Sequence, residues 1–297
     1  MNGITRRRSL TAALAFPLAG MRLSAAPAVI RVNPTEDHRV FLFHDGYQAE
    51  WQIRLPEVVS AREGTFMTSA RPAMKWREYE DGTIGADWRP DEAYSREAHE
   101  KMGRRLTMIQ GLEISPRLRL GPDRIDLSLR LKNVSGRPFH SVSADGGCLQ
   151  HRTGRFFDQD LKTSYMLTAA GLTPLSRTGR SIGIRCKYFF NPAWYEMADV
   201  KAYEFFWGRS ETRPAGALIV AEAREGPGAI GIAWDRCVGV RQNSDPSHRC
   251  MHSSPYFGEI QPGQTVSARG AIFFDDTARR IAGRFRRENF KPYTGLP

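Results

Sequence analysis

The chain has 297 residues, 41% hydrophobic and 25% charged, and its 43 lysines and arginines against 32 acidic residues give a formal net charge of +11. After the N-terminal segment, no stretch is long and apolar enough to cross a bilayer as a helix, which takes about 20 residues. The scattered, arginine-rich excess is typical of a solvated surface that could hold anionic glycans or lipopolysaccharide; no nucleic-acid-binding motif accompanies it, which disfavours a nucleic-acid partner.

The N-terminus has the order of a secretory signal. Arg6, Arg7 and Arg8 are followed by an apolar run over residues 11–20, and small residues gather at 24–26. That order predicts a signal peptide over residues 1–26, and the paired arginines indicate the twin-arginine type. The alternative is a basic disordered N-terminus. We therefore expect a bacterial protein that is exported, already folded, to the periplasm or beyond.

The rest of the chain is expected to consist of short strands separated by turns. Residues 39–44 form an apolar strand that stops at Asp45-Gly46. Residues 124–132 alternate strictly, which places four apolar side chains on one face: Ile125, Leu127, Leu129 and Leu131. Further apolar segments between Gly/Pro turns continue the pattern: residues 217–222, 229–234 and 266–274.

One helix is predicted, near the C-terminus. Asp276 can cap a helix that runs to about Arg287, with Ile281 and Phe285 on one face. No internal repeat or linker divides the chain after the signal, and sandwiches of this length occur as one domain. The sequence therefore predicts an all-β fold, a single antiparallel β-sandwich over residues 27–297 with a short C-terminal helix.

The four cysteines would meet an oxidising compartment after export, where disulfides are permitted. They allow three pairings, which the sequence does not distinguish. Cys237 with Cys250 is the favoured pair, since these residues flank a short loop. The alternative is that these two cysteines, like Cys148 and Cys186, are free buried thiols.

The densest polar cluster of the chain follows that loop. In a strand, His248, Cys250 and His252 would share one face, and two imidazoles with a thiolate suit zinc or copper. A polar pocket without metal is the favoured interpretation. A structural loop is the third interpretation of this cluster.

A second polar group contains Cys148, Gln150 and His151. Asp158 and Asp160 follow it and could serve acid–base chemistry or bind a hard cation. Neither is followed by the glycine and glutamate of a dedicated calcium loop, so turn-forming acids are favoured.

Tryptophans suggest a carbohydrate ligand. Flat aromatic faces stack on sugar rings while polar neighbours bind the hydroxyls, and Trp76, Trp88 and Trp194 lie in stretches rich in polar and charged residues. Core packing is the alternative for each of them.

Two segments resemble the galactose mutarotase-like superfamily, which contains the aldose 1-epimerases. The first is the strand and Asn-x-Ser-x-x-Pro turn of residues 125–139 with the segment that ends at His151. The second, residues 250–264, leads through a Pro-Gly turn into the next strand. The resemblance implies a β-supersandwich in which His151 is a pocket histidine. His252 stands where relatives have a general-base glutamate, and Glu259 follows several residues later.

Together with the signal peptide, the resemblance implies an exported carbohydrate-binding or carbohydrate-active protein, such as a sugar epimerase, lyase or hydrolase. Its candidate catalytic residues are His151, His252 and Glu259; its candidate substrate-binding residues are Gln150, Asp245, Trp76, Trp88 and Trp194. The sugar could be anionic, and no cofactor is predicted. The alternatives are a non-catalytic glycan- or envelope-binding protein and a periplasmic metal-binding protein centred on His248 and His252. The sequence has no serine elbow, P-loop, dinucleotide-binding or zincin motif.

Overall fold

The computed structural model describes residues 28–32, 39–67, 75–89, 110–180, 185–190 and 208–292. Within these ranges two large, mostly antiparallel sheets are followed by one α-helix, α1 (Ala278–Arg287). The all-β class and the short C-terminal helix are thus confirmed. No helix in the described ranges has the length and apolar character needed to cross a membrane. The predicted signal peptide lies outside the described residues.

The larger sheet is built from strands of both halves of the chain. Its members are β1 (Ala28–Val32), β2 (Arg39–His44), β3 (Ala49–Arg54), β4 (Val58–Ala61), β5 (Gly64–Met67), β10 (Phe139–Asp145), β11 (Cys148–His151), β14 (Arg185–Phe189), β15 (Gly208–Arg209), β18 (Cys237–Asn243) and β19 (Cys250–Ile260). The order is β1-β2-β3-β11-β19-β10-β4-β5. Strand β18 pairs with the other edge of β19, and β14 with β18, while β14 and β15 pair in parallel.

The smaller sheet has the order β13-β12-β16-β17-β20-β9-β8-β7-β6. These strands are β6 (Arg77–Glu78), β7 (Ile84–Gly85), β8 (Leu112–Leu120), β9 (Arg124–Asn133), β12 (Ser164–Thr168), β13 (Gly171–Pro174), β16 (Ile219–Glu222), β17 (Ala229–Trp234) and β20 (Thr265–Asp275). Single 3-10 turns occupy Asp45–Tyr47, Gly154–Phe156 and Leu175–Arg177.

The core lies between the two sheets. The predicted alternation along β9 is confirmed, because its four apolar side chains are at most 2% exposed. From the larger sheet, the ring of Trp51 packs 5.7 Å from that of Phe274 in β20. The backbone of Gly147 lies so close to the core that a Cβ there would approach Ile53 and Ile232 to 2.8 and 3.2 Å.

The C-terminal helix begins slightly later than predicted. Thr277 is its N-cap, with a hydroxyl that accepts a hydrogen bond from the Arg280 amide at 3.3 Å. Asp276 instead forms an ion pair with the Arg280 side chain at 2.9 Å. Ile281 is buried and Phe285 packs against the core, as expected from their shared face.

The favoured disulfide between Cys237 and Cys250 was wrong, because all four cysteines are free and buried. In the β18–β19 hairpin Cys237 pairs with Pro255, whereas Cys250 pairs with Asn243. The two thiols therefore sit at opposite ends of the hairpin, and only Cys250 is next to the loop.

Close packing around Trp234 generates a stability prediction. A Cβ at Gly270 would come within 2.5 Å of the Trp234 ring, and backbone or ring must shift to admit it. We expect Gly270→Ala to lower the free energy of unfolding by about 1–3 kcal/mol through overpacking.

Gly283→Ala is the matched control, since its Cβ would meet only an arginine tip at 3.9 Å in α1. Helix propensity should make this variant about 0.5–1 kcal/mol more stable. Urea unfolding of both variants checks the pair, and equal stabilities would contradict the packing argument.

Candidate functional site

The larger sheet has two chemically different faces. Side chains alternate along a strand, so Trp51, Ile53 and Leu149 face the smaller sheet while their neighbours face away from it. The outward side chains of β3, β11, β18 and β19 are polar or carry thiols: Gln52, Arg54, Cys148, Gln150, Arg241, Asn243, Cys250, His252 and Ser254. Most are nevertheless buried, and His252 is only 1% exposed. We call this surface the polar face.

A buried ion pair lies at the centre of the polar face. Arg241 Nη1 donates to Asp145 Oδ2 at 2.7 Å, and the two side chains are 7% and 2% exposed. Ser254 Oγ donates to the other carboxylate oxygen at 3.1 Å. Burial opposes the charge of Asp145, but Arg241 and His252 hold the pKa of its carboxyl well below the usual range. The carboxylate is therefore ionised at neutral pH.

His252 lies between two carboxylates and a thiol. Its Nδ1 is 3.3 Å from Asp145 Oδ1 and 3.8 Å from Glu57 Oε2, and its Nε2 is 3.0 Å from Cys250 Sγ. Burial by itself would lower the pKa of His252, but the negative charge of Asp145 and the nearby Cys148 raise it to about 10. The imidazole is thus held as a cation that donates towards Asp145.

Lys187 is a further buried basic residue. It pairs with Arg241 across β14 and β18, on the same face, and has no exposed surface. Burial and the charge of Arg241 lower the pKa of Lys187 well below its usual value, although Asp145 acts in the opposite direction. Glu57, on the other side, is held by Arg54 at 3.0 Å.

Thiols and a further imidazole extend the cluster along β11. Cys148 Sγ is 3.5 Å from His248 Nε2, and Gln150 Nε2 is 2.7 Å from His248 Nδ1. Burial raises the pKa of both the Cys148 and Cys250 thiols. Among the described residues, three groups have donor atoms close enough to hold a metal: Cys148 with Cys250 and His252, Glu57 with Cys148 and His248, and Glu57 with Asp145 and His252.

The polar face brings together His252 and Gln150 from the sequence-predicted set, but not His151. As the odd neighbour of Gln150, His151 lies on the opposite face, paired with Trp51 and stacked 6.4 Å from the ring of Phe156. Burial and the charge of Arg249 lower the pKa of His151 to about 4, so its ring is neutral. His151 and His252 cannot act on one substrate atom from opposite faces of a sheet.

Two other predicted residues lie towards the ends of strands. Glu259 is seven positions along β19 from His252, roughly 20 Å away at the rise of a strand, and its side chain is 50% exposed. Asp245 follows β18, where it accepts hydrogen bonds from Ser247 and forms an ion pair with Arg185 at 2.6 Å. These contacts also hold the pKa of Asp245 well below its usual value.

Two of the predicted sugar-stacking tryptophans, Trp76 and Trp88, lie apart from the polar face. Trp88 is 9% exposed, belongs to the core and bridges to Ile114 of the smaller sheet. Trp76 is partly buried against the core. Trp194 lies outside the described residues. Asp158 has the favoured turn-forming role, since it accepts hydrogen bonds from the amides of Lys162 and Thr163.

Among the residues that sequence reasoning missed are four charged ones near His252: Glu57, Asp145, Lys187 and Arg241. One signal for two of them was available. Lys187 directly precedes the apolar residues 188–190 and Arg241 directly follows the apolar residues 237–240, and a charge that a strand buries at such a position requires a partner. Asp145 and Glu57 carry no comparable local pattern.

The central ion pair generates a stability prediction. Replacing Arg241 by alanine leaves Asp145 buried beside fewer positive charges, so we expect the free energy of unfolding to fall by about 3–5 kcal/mol. Arg77→Ala breaks a pair with Asp87 of similar length, 2.9 Å, but with side chains 63% and 40% exposed. Water replaces that contact, so urea unfolding should show no measurable change. Similar losses in both variants would contradict the assigned difference in burial.

No family profile and no curated protein matches this chain. Solved structures do match, among them a galactose mutarotase related enzyme from Lactobacillus acidophilus (10% identity, TM-score 0.44, 84% of this chain and 98% of that one). A galactose mutarotase-like protein from Lactobacillus casei matches at 7% identity and a TM-score of 0.46 over 83% of this chain and 99% of that one. An α-galactosidase from Geobacillus stearothermophilus matches at 12% identity and a TM-score of 0.36 over 89% and 31%.

The expected resemblance to galactose mutarotase-like proteins is thus found among solved structures. At these identities and TM-scores, no activity or site residue transfers from those proteins to this chain.

Proposed function

We propose that this chain is an exported protein that binds a carbohydrate at the polar face and acts on it by acid–base chemistry. The observation that carries the proposal is the position of His252 between the carboxylates of Asp145 and Glu57, at 3.3 and 3.8 Å, inside a buried network of charges. Candidate reactions are those of a sugar epimerase, lyase or hydrolase.

The energetic cost of the network supports a functional role. Removing a charge from water costs several kcal/mol even when it is paired, and apolar residues of similar volume are often more stabilising. Ionisable groups with displaced pKa values accumulate at functional sites. A face built only for stability would not need Arg241, Asp145 and Lys187 together.

The residue types suit a hydroxyl-rich ligand. Carboxylates accept hydrogen bonds from sugar hydroxyls, and arginine, lysine and protonated histidine donate them. Acid–base catalysis on a sugar needs one group that gives a proton and one that takes it. His252 carries the proton, and Glu57, which is paired with Arg54 at 3.0 Å, is the second carboxylate beside it.

A second candidate site favours the non-catalytic alternative. A cleft of about 980 Å³ lies on the smaller sheet, on the face turned away from the core, and five arginines and four acidic residues line it. The Tyr79 ring is flanked there by the guanidinium groups of Arg77 and Arg117 at 4.6 and 4.5 Å. The arginines are hydrogen-bond donors and the acidic residues are acceptors, and together they would suit an oligosaccharide bound without turnover. An anionic oligosaccharide would bind to the arginines.

The catalytic proposal is tested first by a thermal-shift screen of the exported protein against neutral and acidic mono- and oligosaccharides. A sugar that binds only the folded state raises the melting temperature. With that sugar as substrate, we expect Glu57→Gln to keep the thermal shift but lower turnover by about 100-fold or more, since a proton-transfer group is lost.

Glu259→Gln is the matched comparison, because Glu259 is exposed and distant from His252. Turnover should be unchanged in it; a loss there, with Glu57→Gln active, would restore the assignment made from the sequence. If instead Arg119→Ala alone abolishes the thermal shift and no variant alters turnover, the cleft is the binding site.

Export is the second part of the proposal, supported by the N-terminal sequence. Replacing Arg6 and Arg7 by lysines should retain the protein in the cytoplasm, because the twin-arginine pathway reads that pair. Cell fractionation checks the prediction, and N-terminal sequencing of the wild-type protein should begin near residue 27. Unaltered export of the lysine variant would contradict the signal type.

A further inference from the structure

Two thiols and an imidazole converge at the pairing of β11 with β19. Gln150 pairs with Cys250 and Leu149 with Met251, so the antiparallel register sets Cys148 opposite His252 on the polar face. One donor atom from each of Cys148, Cys250 and His252 lies within 4.8 Å of the other two, and all three residues are buried.

We propose that Cys148, Cys250 and His252 bind a zinc ion. Two sulfurs and one imidazole nitrogen form the donor set that zinc takes, whereas calcium and magnesium require oxygen ligands. Zinc–sulfur and zinc–nitrogen bonds of about 2.3 and 2.0 Å place tetrahedral donor atoms about 3.5–4 Å apart. The spacing of 3.0 Å between Cys250 Sγ and His252 Nε2 needs to open by only a few tenths of an ångström.

The surroundings of His252 support the assignment. A metal-binding histidine usually donates its other ring N–H to a carboxylate, which fixes the orientation of the ring. His252 directs Nε2 towards Cys250, while Nδ1 lies 3.3 Å from Asp145 Oδ1. Arg241 and Ser254 in turn fix that carboxylate. Asp145 is thus a positioning residue for the metal ligand.

A second imidazole lies beside the same sulfur. His248 Nε2 is 3.5 Å from Cys148 Sγ, but it is also 2.9 Å from the Gln150 amide nitrogen, and His248 groups with Cys148 and Glu57 rather than with Cys250 and His252. A fourth zinc ligand from His248 would therefore require its ring to move. Zinc binding replaces the thiol protons of Cys148 and Cys250 and the Nε2 proton of the His252 cation, and all three protons leave to solvent.

A disulfide between Cys148 and Cys250 is the competing outcome in an oxidising compartment. It would use the two sulfurs but not His252 Nε2. A soft cation would use all three donor atoms. Zinc at His252 Nε2 would take the place of a proton that the proposed function assigns to this ring, so the two proposals are alternatives for His252. One zinc per chain with turnover unchanged in Glu57→Gln supports the metal site, whereas a metal-free protein that loses turnover in Glu57→Gln supports the acid–base role.

The test is the metal content of the untagged, exported protein together with titration of its metal-free form by Zn²⁺ and Co²⁺. We expect about one zinc per chain, and a thiolate-to-cobalt charge-transfer band with Co²⁺. Cys148→Ser and Cys250→Ser should lose both. Asp145→Asn should weaken zinc binding about 10–100-fold, as loss of a ligand-orienting carboxylate does.

Cys186→Ser and Cys237→Ser are matched controls, since both thiols are equally buried but lie outside the cluster. They should keep the zinc and the cobalt band. The proposal is overturned if wild-type protein contains no zinc and its reduced form takes up neither ion. Alkylation under denaturing conditions that labels two thiols rather than four would likewise replace the zinc site by a Cys148–Cys250 disulfide.

Discussion

The ion pair between Arg241 and Asp145 connects two strands that do not pair with each other. Arg241 belongs to β18 and Asp145 to the end of β10, and these strands flank opposite edges of β19. The pair therefore spans the middle of the larger sheet and sets the charge around His252. Both groups are buried, so neither charge is tolerable without the other. Each buried charge of the polar face therefore depends on its charged neighbours, from Glu57 at one side to Lys187 at the other.

The fold was readable from the sequence where the local pattern is strong. The alternation over residues 124–132 gave β9 almost to the residue, and residues 39–44 and 229–234 match β2 and β17. The helix was also found, although Thr277 rather than Asp276 caps it. These elements are determined by side chains close to one another in the chain, which is why periodicity and turn chemistry suffice for them.

The site was only partly readable, since its geometry depends on pairing between distant strands. His248, Cys250 and His252 were recognised as a cluster, but Asp145 and Glu57 reach them only through the pairing of β10 with β4 and β19. His151 shows the reverse case. It is one residue from Gln150, yet the two-residue period of a strand sends it to the other face. Asp145 and Glu57 are distant from His252 in the sequence but close to it in space. His151 is adjacent to Gln150 in the sequence but lies on the other face of the sheet.

The long chain separation within the cluster affects when it can form. Cys148 and His248 are 100 residues apart, so their contact closes a large loop, and such contacts form late in folding. If the chain folds before export, as proposed, that closure takes place in the reducing cytoplasm, where thiols stay reduced. The two sulfurs would then enter the oxidising compartment already enclosed in the folded sheet. Burial in the folded sheet before export would thus keep these thiols reduced and out of contact with oxidants outside the cytoplasm.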